Sequence, residues 1–342
     1  MSSASFTVAA EQANMTLAAV VRAHQPGHSW TKIRQMIGSR RVKVGGELCL
    51  DPARRLREGD VVELLASSAP KPGQPLPISI RYLDKQVVVV EKPSGISTVR
   101  HPLERDWPAS RKALSPTLED LVPRLIASQE RHKGKGATQR LRVVHRLDKA
   151  TSGLVVFART AEAEKQLGRQ FRAHTVVRRY LAVVPGHPAP QRIATFLVRD
   201  RGDKRRGSSK LAGVGKEAIT HIEVQEPLNG YTVLSCQLET GRTHQIRIHL
   251  AELGHPVCGE KVYNRAFHRP DVRDDSNAPR LALHAVELGF YHPVTGEPMH
   301  WKMELPTDLE GFIARLRAST RIKQSGSPGE AGSRRSPDRR TR

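Results

Sequence analysis

The chain has 342 residues, enough for one large domain and a small one beside it. Lys and Arg number 56 against 34 Asp and Glu, and the formal net charge of +22 points to a polyanionic partner, most simply nucleic acid. Three widely spaced cysteines (Cys49, Cys236, Cys258) argue against a disulfide framework or a zinc site and fit a reducing cytoplasm. No apolar run approaches the length of a membrane span, Met1 to Gln12 lack a signal-peptide pattern, and the histidines are scattered. The expectation is a cytoplasmic protein with RNA as partner, no membrane, no metal and no cofactor.

Residues 1–13 read as a disordered start. Thr16 can cap a helix carrying Leu17, Val20 and Val21 on one face, and Trp30 to Ile37 reads as a second helix that Gly38 can end. Arg41 to Val44, a Gly45-Gly46 turn and Glu47 to Leu50 read as a hairpin, and after Gly59-Asp60 comes a third strand, Val61 to Leu65. This order of elements resembles the alpha-L RNA-binding module first known from a small-subunit ribosomal protein. The resemblance implies a basic RNA-binding face made by Arg34, Arg40, Arg41 and Lys43; the plainer alternative is a small structural domain with solvated charges. The module is assigned to residues 14–66. Residues 67–77 carry several prolines and read as an extended linker.

The next stretch, Val87 to Val90, reads as a central buried strand that turns away at Glu91-Lys92-Pro93-Ser94-Gly95. Thr117 can cap a helix with Asp120 near its positive end. His132 to Gly136 reads as a mobile loop able to touch phosphates, or as a plain surface loop. Val143 to Ala158 follows, two apolar runs around a dense polar turn. Asp148 sits there between Arg146 and Lys149, and neighbouring cations favour the charged form of an acid, which suits a nucleophile or base. On the residues alone, a surface Asp paired with its neighbours is an equal reading.

His145-Arg146-Leu147-Asp148-Lys149-Ala150-Thr151-Ser152-Gly153-Leu154 resembles the catalytic motif of the RluA/RluD-type pseudouridine synthases. The resemblance implies that Asp148 is catalytic and that His145 and Arg146 contact substrate or RNA. The Lys92-Pro93-Ser94-Gly95 turn resembles a family segment lying near the catalytic loop, which implies a similar contact for Lys92. Downstream, Ala161 to Phe171 reads as a helix and Val176 to Val184 as a strand. The family's Arg/Lys-x-Tyr-Leu-Ala segment matches Arg178 to Ala182, which implies that Tyr180 lies against the target base, stacking on it or helping to remove a proton. Arg199 to Gly215 reads as a flexible basic hairpin.

Thr243 can cap a short helix with Ile246, Leu250 and Leu253 on one face, ended by Gly254. The run Gly241-Arg242-Thr243-His244-Gln245-Ile246-Arg247, followed by Gly259-Glu260-Lys261-Val262-Tyr263, is a third block resembling the family. It implies a cation paired with the catalytic acid: Arg247 in that role and Arg242 on substrate or RNA, or the reverse. Arg280 to Ala285 matches one more block, and Leu309 to Leu316 reads as a closing helix. Residues 319–342 read as a disordered basic tail.

The resemblance implies an α+β fold: a large mixed, mostly antiparallel bent sheet with outer helices around an RNA-binding cleft, over residues 78–318. The implied activity is isomerisation of specific uridines to pseudouridine in structured RNA, most simply large-subunit ribosomal RNA or a ribosome precursor, by a monomer without cofactor. Two rival readings are a non-enzymatic RNA-binding protein, which would need no Asp148, Tyr180 and Arg247 together, and a glycosidase-like hydrolase, which normally needs a second carboxylate.

Overall fold

A computed structural model describes residues 4–66, 68, 78–131, 140–209, 211, 213–264, 272 and 274–324. The chain divides into two compact units, Met1–Pro77 and Ile78–Arg342. The loop expected at 132–136, nearly all of the expected linker, and residues 325–342 of the expected tail lie outside the described residues.

The first unit packs helices α1 (Leu17–His24) and α2 (Trp30–Gly38) against strands β1 (Ala4–Thr7), β2 (Val42–Val44), β3 (Glu47–Leu48) and β4 (Val61–Leu64), in the order β1-β4-β2-β3. Thr16 and Ser29 cap the helices, their hydroxyls each accepting a backbone N–H at 3.3 Å. Leu17, Val20, Ile33 and Ile37 share one core with Val42, Val44, Val62 and Leu64. Residues 4–13 are ordered, contrary to expectation. β1 pairs antiparallel with β4, Phe6 stacks on His24, and Val8 is buried. Phe6 and Val8 supply the alternation of a strand, but their partner lies more than fifty residues downstream.

Among the described residues, the second unit is built on eleven strands. They are β5 (Ser79–Leu83), β6 (Val87–Lys92), β7 (Arg142–Val143), β8 (Ser152–Ala158), β9 (Val177–Pro185), β10 (Gln191–Val198), β11 (Gly207–Ser208), β12 (Lys216–Leu228), β13 (Tyr231–Leu238), β14 (Leu283–Tyr291) and β15 (Pro298–Lys302). The order is β11-β10-β12-β13-β9-β14-β8-β6-β5, with β15 beside β14 and β7 beside β8. Helices α3 (Ala109–Leu114), α4 (Leu118–Arg131), α5 (Ala161–Arg172), α6 (Gln245–Glu252) and α7 (Thr307–Gln324) complete it. α7 runs six residues into the range expected to be tail. No helix among the described residues is long and apolar enough to cross a membrane.

The four valines of β6 are buried, but the strand is second from the edge rather than central. Its apolar run is continuous because both faces are covered. Val88 and Val90 join Val155, Phe157 and residues of α4 and α7, whereas Val87 and Val89 join Leu154, Val156 and residues of α5. The segment around Arg201 is also more fixed than expected: its buried guanidinium binds Asp203 and faces Glu252 at 3.9 Å.

Among the described strands, the one parallel contact decides where the turn ahead of β8 points. β8 meets β14 only through Ser152 with His284 and Gly153 with Ala285. Ser152 Oγ lies 2.8 Å from His284 Nδ1, both groups being buried. Gly153 has φ +124°, and a Cβ there would stand 2.3 Å from the Ala285 carbonyl oxygen. Only glycine lets the two backbones approach so closely.

Gly153→Ala should therefore lower stability by about 3 kcal/mol or more, since overpacking and a strained φ each cost about 1–3 kcal/mol. Gly296 also has positive φ but open space around it, so Gly296→Ala should cost only about 1 kcal/mol. Urea midpoints of the two full-length variants check this; equal midpoints would refute the close-approach account.

Candidate active site

Asp148 lies in the turn between β7 and β8, and a second segment, residues 92–98, clamps the backbone of that turn. The Thr98 hydroxyl donates to the Leu147 carbonyl at 2.7 Å and accepts the Leu147 N–H at 3.1 Å. Ser94 Oγ donates to the Ala150 carbonyl at 2.7 Å, and the Gly95 N–H donates to the Lys149 carbonyl at 2.7 Å. Lys92 adds to the clamp. Its ammonium donates to the carbonyls of Ile96, Pro93 and Lys149 at 2.7, 3.0 and 3.2 Å. The residue is 1% exposed, and burial pulls its pKa down to about 7 against the opposing pull of Asp148. Lys92 was expected at the RNA; it is instead an internal brace with no surface to offer a phosphate.

The facing wall comes from the loop before α6 and from α6 itself. Buried Gln245 accepts from the Arg242 N–H and the Thr240 hydroxyl, and donates to the Ile219 carbonyl and Thr220 Oγ1, all within 3.0 Å. Both ends of this buried amide are satisfied, which fixes the loop. Thr243 does not cap α6. The residue preceding the helix is His244, in the left-handed region at φ 61°, ψ 20°, with no side-chain cap. The Gln245 side chain instead ties the loop that precedes the helix, through Thr240 and Arg242.

Arg247, on the first turns of α6, reaches the acid. Its Nη1 is 3.4 Å from Asp148 Oδ2, while Arg242 turns its Nε to the Glu217 carbonyl at 2.8 Å. The stronger partner of Arg247 is Glu260, which accepts from Nε at 2.6 Å and Nη2 at 2.7 Å. Glu260 is 2% exposed. Burial works to raise its pKa, but the Arg247 hydrogen bonds outweigh it and hold the carboxyl below its ordinary value. Burial likewise works against the Arg247 cation, and Glu260, then Asp148, raise its pKa. Tyr263 lies under the guanidinium, 5.2 Å from ring centre to Cζ, and its hydroxyl is 2.7 Å from His244 Nδ1. His244 Nε2 faces Asp148 Oδ1 at 3.8 Å.

β9 supplies the third side. Tyr180 and Arg178 project from the same face of the strand, two residues apart. Burial raises the Tyr180 phenol to about 12, so it is neutral at physiological pH. Arg178 donates to the Glu239 carbonyl at 2.6 Å. His145 packs its ring on Phe171 and accepts the Val156 N–H at Nε2. Burial, then the Arg178 charge, push its pKa down to about 3, so it is a neutral structural group.

These walls enclose a cavity of about 580 Å³, a size that suits one ligand. Asp148, Tyr180, Arg247, His145, Arg146 and Arg242 all line it, with Arg172 and Arg178. Among the described residues, Asp148 is the only carboxylate in the lining, against five arginines. Arg146 and Arg242 are exposed at its rim. The arrangement can hold a phosphate-bearing ligand and present one acid to it. Sequence reading missed Glu260, His244, Tyr263 and Arg178. The block Gly259 to Tyr263 drew attention, but nothing in it showed that its acid points inward.

In the first unit, Arg34 is exposed on α2. Arg40 has a positive φ of 66°. Arg41 Nε donates to the Leu65 carbonyl at 3.1 Å, and Lys43 Nζ is 3.8 Å from Glu63. Part of the expected basic face is thus engaged within the unit.

Residues 86–252 match the RNA pseudouridylate synthase family, and residues 15–62 match the S4 domain. The chain is similar to ribosomal large subunit pseudouridine synthase D of Zymomonas mobilis, 35% identical over 81% of this chain and 85% of that protein. It is also similar to the protein of that name from Salmonella typhimurium, 32% identical over 91% of this chain and 94% of that one. The solved structure of human RNA pseudouridylate synthase domain containing 4 shares the fold, with TM-score 0.54 and 23% identity, covering 70% of this chain and 93% of that chain. The cavity with its single acid lies in a chain that, at this identity and coverage, belongs to the RNA pseudouridylate synthase family.

Proposed function

We propose that this chain isomerises uridines of large-subunit ribosomal RNA to pseudouridine in the cytoplasm, with Asp148 as the acting carboxylate. The observation that carries the reading is the lone acid in an arginine-lined cavity, with Arg247 at 3.4 Å. The relatives named for the large ribosomal subunit support the substrate class.

The reaction breaks the bond between uracil N1 and ribose C1′. The base rotates and rejoins through C5, the C5 proton leaves and N1 gains a proton, so no atom is added or lost. A glycosidic bond inside a stacked helix is out of reach, so the target nucleotide is flipped into the cavity. The arginines at the rim take its phosphates, and the neutral Tyr180 ring offers a face to the base. Arg247 turns one N–H toward Asp148. Because Glu260 occupies the other edge of the guanidinium, Asp148 is not locked into a two-point ion pair. Its second oxygen, Oδ1, has His244 Nε2 at 3.8 Å, beyond hydrogen-bond distance, and keeps lone pairs for chemistry on the sugar or the base. On the first unit, exposed Arg34 adds a phosphate contact outside the cavity.

Asp148→Asn keeps the shape and removes the charge. It should slow pseudouridine formation by about a thousandfold or more while RNA affinity stays within a few-fold, as counted by pseudouridine sequencing and filter binding. A near-normal rate from the folded variant would refute the assignment. Arg34→Ala should weaken RNA binding and lower the slope of log affinity against log salt by about 0.9, read from a salt titration.

Arg247→Met should do more than slow catalysis. It strands the buried Glu260 carboxylate, a loss of about 3–5 kcal/mol. In the wild type Glu260 has a lowered pKa and stabilises the fold above its unfolded value, an effect lost as pH falls through the folded value. In the variant, burial is left to raise that pKa. The stability gap between wild type and variant should therefore be widest near neutral pH and shrink toward acid. Adding Glu260→Leu should recover stability but not activity. Urea unfolding at several pH values, with turnover on the same samples, reads both.

A further inference from the structure

We infer that His244 is a positioning residue for Asp148, a neutral hydrogen-bond donor whose tautomer is set by Tyr263. The inference rests on the proposed role of Asp148.

Three observations meet at this ring. His244 occupies a left-handed backbone conformation, at φ 61°, which a residue with a Cβ adopts only at a cost. It stands at the N-terminal boundary of α6 yet makes no capping bond there, so helix capping does not account for it. Its two nitrogens face two different groups: Nδ1 is 2.7 Å from the Tyr263 hydroxyl, and Nε2 is 3.8 Å from Asp148 Oδ1. Asp148 thus has Arg247 toward one oxygen and His244 toward the other.

The tautomer follows from the partners. A neutral imidazole has one N–H and one lone pair. A lone pair on Nε2 would face the carboxylate and be repelled; a proton there is attracted. The Nε2–H form leaves a lone pair on Nδ1, and the Tyr263 O–H is the donor that meets it. Burial among the surrounding groups holds the Tyr263 phenol at about 12, so it keeps its proton. Burial also lowers the His244 pKa, against the pull of Asp148, which keeps the ring neutral. A neutral donor suits the task. It steadies one oxygen without adding a second full cation that would tie the carboxylate down. At 3.8 Å the contact is open, and a small shift of Asp148 as it meets the substrate closes it.

The same turn holds both groups that face the acid. Glu260 fixes Arg247 and Tyr263 fixes His244, three residues apart in the chain. Residues 260–263 therefore serve the active site without touching its acid.

The test has two arms. In protein isotope-labelled at histidine nitrogen, the resonance lost in H244Q identifies His244, and its chemical shifts near neutral pH report the tautomer. We expect Nε2–H in the wild type and a mixture of tautomers in Tyr263→Phe. An Nδ1–H ring in the wild type, or a tautomer unmoved by Tyr263→Phe, overturns the inference. This arm needs no turnover, so it stands even where the proposed reaction fails. The second arm is single-turnover isomerisation of a large-subunit RNA fragment at saturating concentration. Loss of a hydrogen bond to a charged group should make His244→Leu about tenfold to a hundredfold slower. His244→Gln carries an amide N–H to about the place of Nε2 and should stay within about fivefold of wild type. Tyr263→Phe should slow the wild type about fivefold but leave the H244Q protein unaltered, because an amide has no tautomer to set. If H244Q is as slow as H244L, or if Tyr263→Phe slows both backgrounds alike, the donor role is wrong.

Discussion

The bidentate pair between Glu260 and Arg247 is the interaction on which the cavity depends. Each charge is buried and would be costly alone; together they satisfy one another through two short hydrogen bonds. The pair takes up the edge of the guanidinium that would otherwise clamp a second carboxylate in two-point fashion, and leaves one N–H for Asp148. A buried ion pair of this kind need not add to net stability. Its effect is geometric: it holds a cation at one edge of the Asp148 carboxylate without immobilising it.

The opposite wall solves a different problem, that of a polar turn next to a fully apolar strand. β8 is buried along its length, so the residues just before it must enter the interior with their backbone groups paired. Residues 92–98 provide those partners through two hydroxyls, a backbone N–H and one ammonium. Lys92 is suited to the task because its single nitrogen has three donors and faces three carbonyls. Rigidity at Asp148 thus comes from a segment at residues 92–98, far earlier in the chain.

Much of this was legible in the residues. Asp148 stood out because its motif is contiguous, and Tyr180 and Arg247 because each lies in a short block of fixed order. The S4-type unit was readable from its caps, its Gly45-Gly46 turn and its helical spacing. What escaped reading depends on contacts between distant segments. Lys92 resembles any lysine beside a turn until the carbonyls around it are known, since lysine is seldom buried. Glu260, beside Gly259 and Lys261, has the composition of a surface turn. β1 was lost because four residues at a chain start carry too little pattern without their partner β4. Thr243 has the propensity of a cap, but the residue that precedes α6 is His244 in the left-handed region, and the helix start carries no side-chain cap.

The parallel seam between β8 and β14 has a consequence in time. Ser152 and His284 are 132 residues apart in sequence, and their contact seats the turn that carries the acid. Such a contact closes a long loop and forms late in folding. During synthesis the first unit and the strands through β9 emerge well before β14 does. The nascent protein can therefore present an RNA-binding surface while the turn that carries Asp148 still lacks its seat. Recognition matures ahead of chemistry, and the ability to modify RNA arrives only when nearly the whole chain has left the ribosome.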